Sequence, residues 1–196
     1  MDLSLFAQDC AVKTFAPFME VLRCNRALRT VQLCARLGDS NGVMLMRSLE
    51  GACLQRLVLD GCGLGVNTAR HLAAQVGDVG RGWSLRHLSL SGNPIGTEAW
   101  SLFDRLQRCR TLRSLHMAQC DIRVEACPSV GKLLMTLPAL TMMNVSGNTR
   151  IGSDGARLLL EAALREWRGA SMANASLKAC LDLRGSNVES MPRKFG

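Results

Sequence analysis

Apolar and polar positions alternate along this chain in two rhythms that take turns. Leucines separated by three and then two positions, with Asn or Cys three further on, recur as near-copies. Leu54, Leu57, Leu59, Cys62 and Leu64 form one block; Leu85, Leu88, Leu90, Asn93 and Ile95 form the next; Leu112, Leu115, Met117, Cys120 and Ile122 form a third. The Leu-x-Leu piece has period two and predicts a short strand with its leucines facing a core. The stretch that follows has helical spacing, as in Ala99, Leu102, Phe103 and Leu106, or Ala156, Leu159, Leu160, Ala163 and Leu164. Such a stripe predicts an amphipathic helix packed beneath the strand.

Imperfect copies flank the three blocks. Leu28, Val31 and Leu33 lead to Leu37 one position early, and Leu140, Met143, Val145 and Asn148 lead to Ile151 one position late. Leu181, Leu183 and Val188 repeat the strand near the end, after the small, polar spacer Gly169–Ser176, which reads as a loop. Leu3 and Leu5 mark a first strand, because the segment after them, Phe15 to Leu28, is similar to Trp100 to Leu112. The array amounts to about seven strand units, most of them 26 to 31 residues apart. Residues 1–190 then form one repeat domain, followed by a short basic tail, 191–196, with Pro192, Arg193 and Lys194. Gly65, Gly96 and Gly152 stand where the chain leaves a strand, at positions expected to exclude a side chain. Cys62, Asn93, Cys120 and Asn148 should point inward and bond the backbone of a neighbouring turn, a structural role.

A strand-plus-helix unit near 28 residues with Asn or Cys in the ninth place resembles the ribonuclease-inhibitor-like class of leucine-rich repeats. The resemblance spans nearly the whole chain. It implies an α/β solenoid, curved, with parallel strands on the concave face and helices on the convex face, and a business of protein binding. It specifies a fold far more than a ligand. Ribonuclease inhibitor pairs an acidic body with a basic ligand; this chain is basic, so that ligand does not carry over.

Composition narrows the classes. Aromatic residues make up 4% of the chain and Tyr is absent, so the core must be aliphatic. No apolar run approaches the ~20 residues of a membrane span, and the acidic start Met1-Asp2 lacks the basic region of a secretory signal. Nine scattered cysteines without a CxxC pair, and three histidines distant from any cysteine pair, predict reduced thiols, no metal site and no cofactor. An intracellular, cytoplasmic location follows as an expectation, with cytoskeletal or flagellar association as a conjecture. No phosphate-cradling glycine loop and no nucleophile elbow occurs, so the expectation is a non-enzymatic chain.

Lys plus Arg number 24 against 16 Asp plus Glu, a net charge of +8, and all but four of the basic residues are Arg. Residues 1–98 carry +2 and residues 99–196 carry +6. Arginine forks suit carboxylate and phosphate. The exposed positions between strand leucines hold Arg29, Arg56, Arg86 and Arg113, with His87 and His116 beside them, predicting a basic ladder on the concave face that takes an acidic protein partner. Arg81 and Trp83, in the glycine-rich loop Gly77–Ser84, form a second candidate contact; the indole can anchor a partner or fold back over the solenoid edge. Trp100 and Trp167 fall in helical stretches and read as packing residues. The leading expectation is a scaffold or structural subunit of a larger assembly, binding an acidic surface such as that of a cytoskeletal polymer. RNA binding is an alternative, weakened by the shortage of aromatics for stacking. A GTPase-activating module of the Ran-activator type is another.

Overall fold

The computed structural model describes residues 2–6, 12–76, 83–169 and 180–186. Arg81, most of the Gly169–Ser176 spacer, Val188 and the basic tail lie outside the described residues, as do the side chains of Ala163, Leu164 and Trp167. Seven parallel strands form one sheet in chain order: β1 (Asp2–Phe6), β2 (Thr30–Cys34), β3 (Arg56–Val58), β4 (His87–Ser89), β5 (Ser114–His116), β6 (Met142–Asn144) and β7 (Cys180–Asp182). Six helices alternate with them: α1 (Val12–Cys24), α2 (Gly38–Ser48), α3 (Val66–Val76), α4 (Ala99–Leu106), α5 (Cys127–Thr136) and α6 (Gly152–Gly169). Each strand pairs only with its neighbours in sequence, and each helix packs on the next, the one-dimensional order of a solenoid.

Register is set by a single buried apolar row. Val31, Leu57, Leu88, Leu115, Met143 and Leu181 lie opposite one another across successive strands. All but Leu181, which is partly covered, are buried. A slip of one residue would turn the row to solvent, so the pairing is strongly specified. Beneath it lie the helix stripes. Ala99, Leu102, Phe103 and Leu106 are wholly buried in α4, whereas in α6 Ala156 and Leu159 face inward and Leu160 turns out. Trp100 is half-exposed on α4 rather than a packing residue, because Ala99, Leu102, Phe103 and Leu106 already complete the inward stripe. Gly42 in α2 is where Thr68 of α3 presses closest: an added Cβ would collide with the Thr68 hydroxyl.

From β3 to β7 the chain leaves each strand through a left-handed residue. Gly61, Gly92, Gly147 and Gly185 occupy it, and Gln119 takes the same place in the β5 repeat at φ 53°. Of the three glycines singled out from sequence, Gly96 and Gly152 do have positive φ. Gly65 does not; its missing Cβ makes room for the Asp39 carboxylate, which would stand 3.0 Å from it.

Asp39 joins one repeat to the next. Its Oδ1 accepts from the Gly65 and Thr68 amides, both at 2.9 Å, and from the Thr68 hydroxyl at 2.7 Å; Oδ2 accepts from the Asn67 side-chain amide at 2.8 Å. A carboxylate of α2 thus caps the N-terminus of α3, where free N–H groups and the helix dipole favour an anion. Partial burial pushes the Asp39 carboxyl up, but the Thr68, Asn67 and Gly65 hydrogen bonds outweigh it and hold the group at about 2. A carboxyl lower in the folded state than in the unfolded chain stabilises above the unfolded value and loses that contribution as pH falls through the folded one. Asp39→Ala should lower the unfolding free energy by about 1 to 2 kcal/mol at neutral pH, after allowance for the solvent that reaches the group. The gap between variant and parent should close between about pH 4 and pH 2. Urea titrations across that window measure both.

Candidate functional site

The two positions between the buried residues that open each repeat do different things. The first precedes the strand, and its carbonyl receives two successive N–H groups from the next repeat. Arg29 O takes Gln55 N (2.7 Å) and Arg56 N (2.9 Å); Arg86 O takes Arg113 N (2.8 Å) and Ser114 N (3.0 Å). The chain bends into the sheet at this shared carbonyl. The row Arg29, Gln55, Arg86, Arg113, Thr141 therefore forms a rim, and the next row, Thr30, Arg56, His87, Ser114, Met142, lies on the sheet face itself.

This corrects the single arginine ladder expected from sequence. Arg86 and Arg113 are rim neighbours, about 5 Å apart along the backbone. Arg29 is separated from them by Gln55, and Arg56 belongs to the face row beside His87. His116 stands two positions further along β5, level with Ser89 and Asn144. Arg29, Arg56, Arg86 and Arg113 are exposed and make no ion pair or side-chain hydrogen bond with any described residue.

Acids are engaged elsewhere. Glu98 holds Arg70 at 2.9 Å, Asp121 holds Arg150 at 3.2 Å, and Asp182 holds Arg184 at 2.7 Å, all away from the rim. Asp60, at the far end of β3, accepts from the Ser89 hydroxyl at 2.6 Å and the Ser91 amide at 2.8 Å. Like charges on adjacent strands repel by a few tenths of a kcal/mol, so the basic rim is a cost that the free protein carries.

A shallow depression of about 270 Å³ opens on the face among Arg56, Asp60, His87, Ser89, Ser114 and His116. The His87 ring is oriented by a 2.8 Å hydrogen bond between Nδ1 and the Ser114 hydroxyl. Partial burial, then Arg56, Arg113, Arg86 and His116, push the His87 imidazole below its ordinary value, so it is neutral near pH 7. A Ser–His pair is also the beginning of an activated nucleophile. Here the adjoining amides are spent in the sheet, His87 N on Gln55 O and Ser114 N on Arg86 O, which leaves neither to stabilise an oxyanion. The pair serves orientation.

Ser114 and Asp60 were not picked out from the sequence. The signal for Ser114 was its register with His87, which a repeat alignment carries but a search for charged residues passes over.

Trp83 is not an exposed loop anchor. It is 5% exposed, and its indole N–H donates to the Leu49 carbonyl at 3.3 Å, so it folds back and closes the end of the α2 repeat. Cys62, Asn93, Cys120 and Asn148 are buried and bonded to backbone. Asn93 Nδ2 donates to Leu59 O and Leu90 O, both at 2.7 Å, and its Oδ1 accepts from Leu64 N at 2.9 Å. Cys120 Sγ donates to Leu90 O at 3.1 Å. Burial pushes the Cys120 thiol up to about 12, far from thiolate reactivity. Ser186 takes the same place in the last repeat.

Among the described residues no group of three metal-ligating side chains occurs, and no helix is long and apolar enough to cross a membrane. Cys24, Cys34, Cys53, Cys62, Cys109, Cys120 and Cys127 are free thiols.

Comparison with known proteins gives matches to two leucine-rich-repeat family models, at residues 84–106 and 108–127. The chain is 30% identical over 169 residues to ribonuclease inhibitor of Sus scrofa, a match covering 84% of this chain and 36% of that protein. It is 29% identical to ribonuclease inhibitor of Mus musculus, with the same coverage. It is 28% identical over 161 residues to NACHT, LRR and PYD domains-containing protein 5 of Homo sapiens, covering 78% of this chain and 13% of that protein. The chain thus spans about a third of the length of the ribonuclease inhibitors it matches.

Proposed function

The chain belongs to the ribonuclease-inhibitor-like leucine-rich-repeat proteins, and from that premise we propose that it is a non-enzymatic binding module whose concave face takes an acidic protein surface within a larger, intracellular assembly. Leucine-rich-repeat proteins mediate protein–protein interaction. The observation that carries the acidic preference is the rim and face arginines: Arg86 and Arg113 side by side, Arg56 next to them, and no described acid paired with any of the three. An acidic surface relieves their mutual repulsion and gains fork-like, charge-assisted hydrogen bonds.

The test has two parts. Affinity purification with a nuclease-treated control should retain a stoichiometric acidic protein; loss of the set on nuclease treatment would transfer the site to RNA. Replacing both Arg86 and Arg113 with Glu should raise the Kd for that partner by about a hundredfold or more, through slower association and lost pairing. Both residues are exposed, so the melting temperature should be unchanged. Unaltered affinity in the double variant would remove the rim from the interface.

A further inference from the structure

We infer that the depression centred on His87 is the subsite for a single acidic side chain of the protein partner, with Arg56 and the Nε2 edge of the imidazole as its donors. This rests on the acidic-partner reading above and adds where one carboxylate sits and how its binding responds to pH.

The ring is held in place before any partner arrives. The 2.8 Å bond from Nδ1 to the Ser114 hydroxyl fixes its plane and leaves Nε2 as the edge free for a ligand. Arg56 precedes Leu57 in β3 and is His87's register partner, so the two side chains leave the sheet face from adjacent strands. The remaining charged and titratable groups facing the ring are Arg86 at the entrance to β4, Arg113 and His116 from the β5 repeat, and Asp60 from the end of β3.

Asp60 decides between kinds of anion. Its carboxylate lines the same depression and is tied to Ser89 and Ser91, so it stays as a negative wall. A carboxylate set against Arg56 and His87 tolerates that wall better than a doubly charged phosphate does. None of the residues lining the depression offers an aromatic ring, other than imidazole, on which a base would stack.

Proton linkage follows. Burial and then the nearby cations push the His87 imidazole below its ordinary value in the free protein. A docked carboxylate offsets those cations and favours the imidazolium, which then donates a charge-assisted hydrogen bond. Binding therefore takes up a proton at His87, and affinity rises as pH falls through the histidine range. Each unit by which the docked carboxylate raises the imidazole's titration midpoint is worth about tenfold in affinity.

An oligoglutamate peptide serves as the probe, with calorimetry for affinity and imidazole NMR signals for protonation. The wild-type protein should bind it about tenfold more tightly at about pH 5.5 than at about pH 7.5. Saturating peptide should raise the His87 titration midpoint. His87→Gln, which keeps a hydrogen bond to Ser114 but does not titrate, should bind at the wild-type high-pH affinity with a flattened pH profile. If the peptide binds while the His87 signals stay put, or His87→Gln keeps the full pH dependence, the subsite is wrong and the acidic-partner reading stands. If the wild-type protein ignores oligoglutamate at either pH, both fall. An oligouridylate that shifts His87 where the peptide does not would overturn the inference in favour of nucleic acid.

Discussion

Asn148→Ala is expected to lower the unfolding free energy by about 4 kcal/mol, read from urea denaturation at neutral pH. The Asn148 side chain is 1% exposed and fully engaged. Its Oδ1 accepts from Cys120 N at 2.8 Å and Ile122 N at 3.0 Å, while Nδ2 donates to Met117 O at 2.9 Å and Val145 O at 2.7 Å. Truncation strands three backbone groups in the core and leaves Val145 O with the Ser186 hydroxyl at 3.5 Å. Each unsatisfied group is worth about 1 to 3 kcal/mol, with partial relief from relaxation and entering water. Asn148→Cys, which borrows the residue of the preceding repeat, should recover little. A thiol donates weakly and cannot replace the oxygen that serves Cys120 and Ile122. Full stability in the alanine variant would mean that the turn rebuilds its hydrogen bonds unaided.

Phe103→Ala should cost a similar amount, about 4 kcal/mol. Phe103 is wholly buried, and α4, with 8 residues, is shorter than any other α-helix among the described residues. The cavity would open in α4 where α3 and α5 pack on it from either side, and its lining would lose the ring's contacts. Phe103→Leu should cost only about 1 kcal/mol, because most of the volume is kept. Native-state hydrogen exchange should show protection lost in α4 and its two neighbours before the outer strands, since each repeat leans only on those beside it. Uniform loss across the chain would show that the repeats unfold as one unit.

The strand row and the buried stripe of α4 were legible in the sequence because both rest on side chains whose preference for the core is intrinsic; the stripe of α6 was legible in part, since Leu160 turns out. Leu57, Leu88 and Leu115 announce their row in any alignment. What decided the site was non-local. Arg56 and Arg86 both stand between leucines, but Arg56 holds the second place and Arg86 the first. The carbonyl of the preceding repeat that accepts both amides sets the second on the sheet face and the first on the rim. Trp83 read equally well as anchor or cover until Leu49 O, 34 residues away, proved to be its hydrogen-bond acceptor. Asp39 gave no sign of its task, since the helix it caps belongs to the following repeat. The His87–Ser114 bond crosses strands, where composition and spacing say nothing about rotamers.

The alternation of cysteine and asparagine along the core carries a rule about how such a chain can change its length. In the cysteine repeats the residue's own carbonyl receives the neighbouring turn, as Cys62 O does from Leu37 N and Gly38 N, and Cys120 O from Gly96 N. In the asparagine repeats the side-chain oxygen receives it, as Asn93 Oδ1 does from Leu64 N. The two turns are different joints, and each is shaped to meet the other kind. Adding or deleting one repeat between Cys62 and Asn148 would set two like joints together, whereas adding or deleting a pair would keep the alternation. Between Cys62 and Asn148 the structural period of this solenoid is therefore the couple, near twice the length of the motif that repeats.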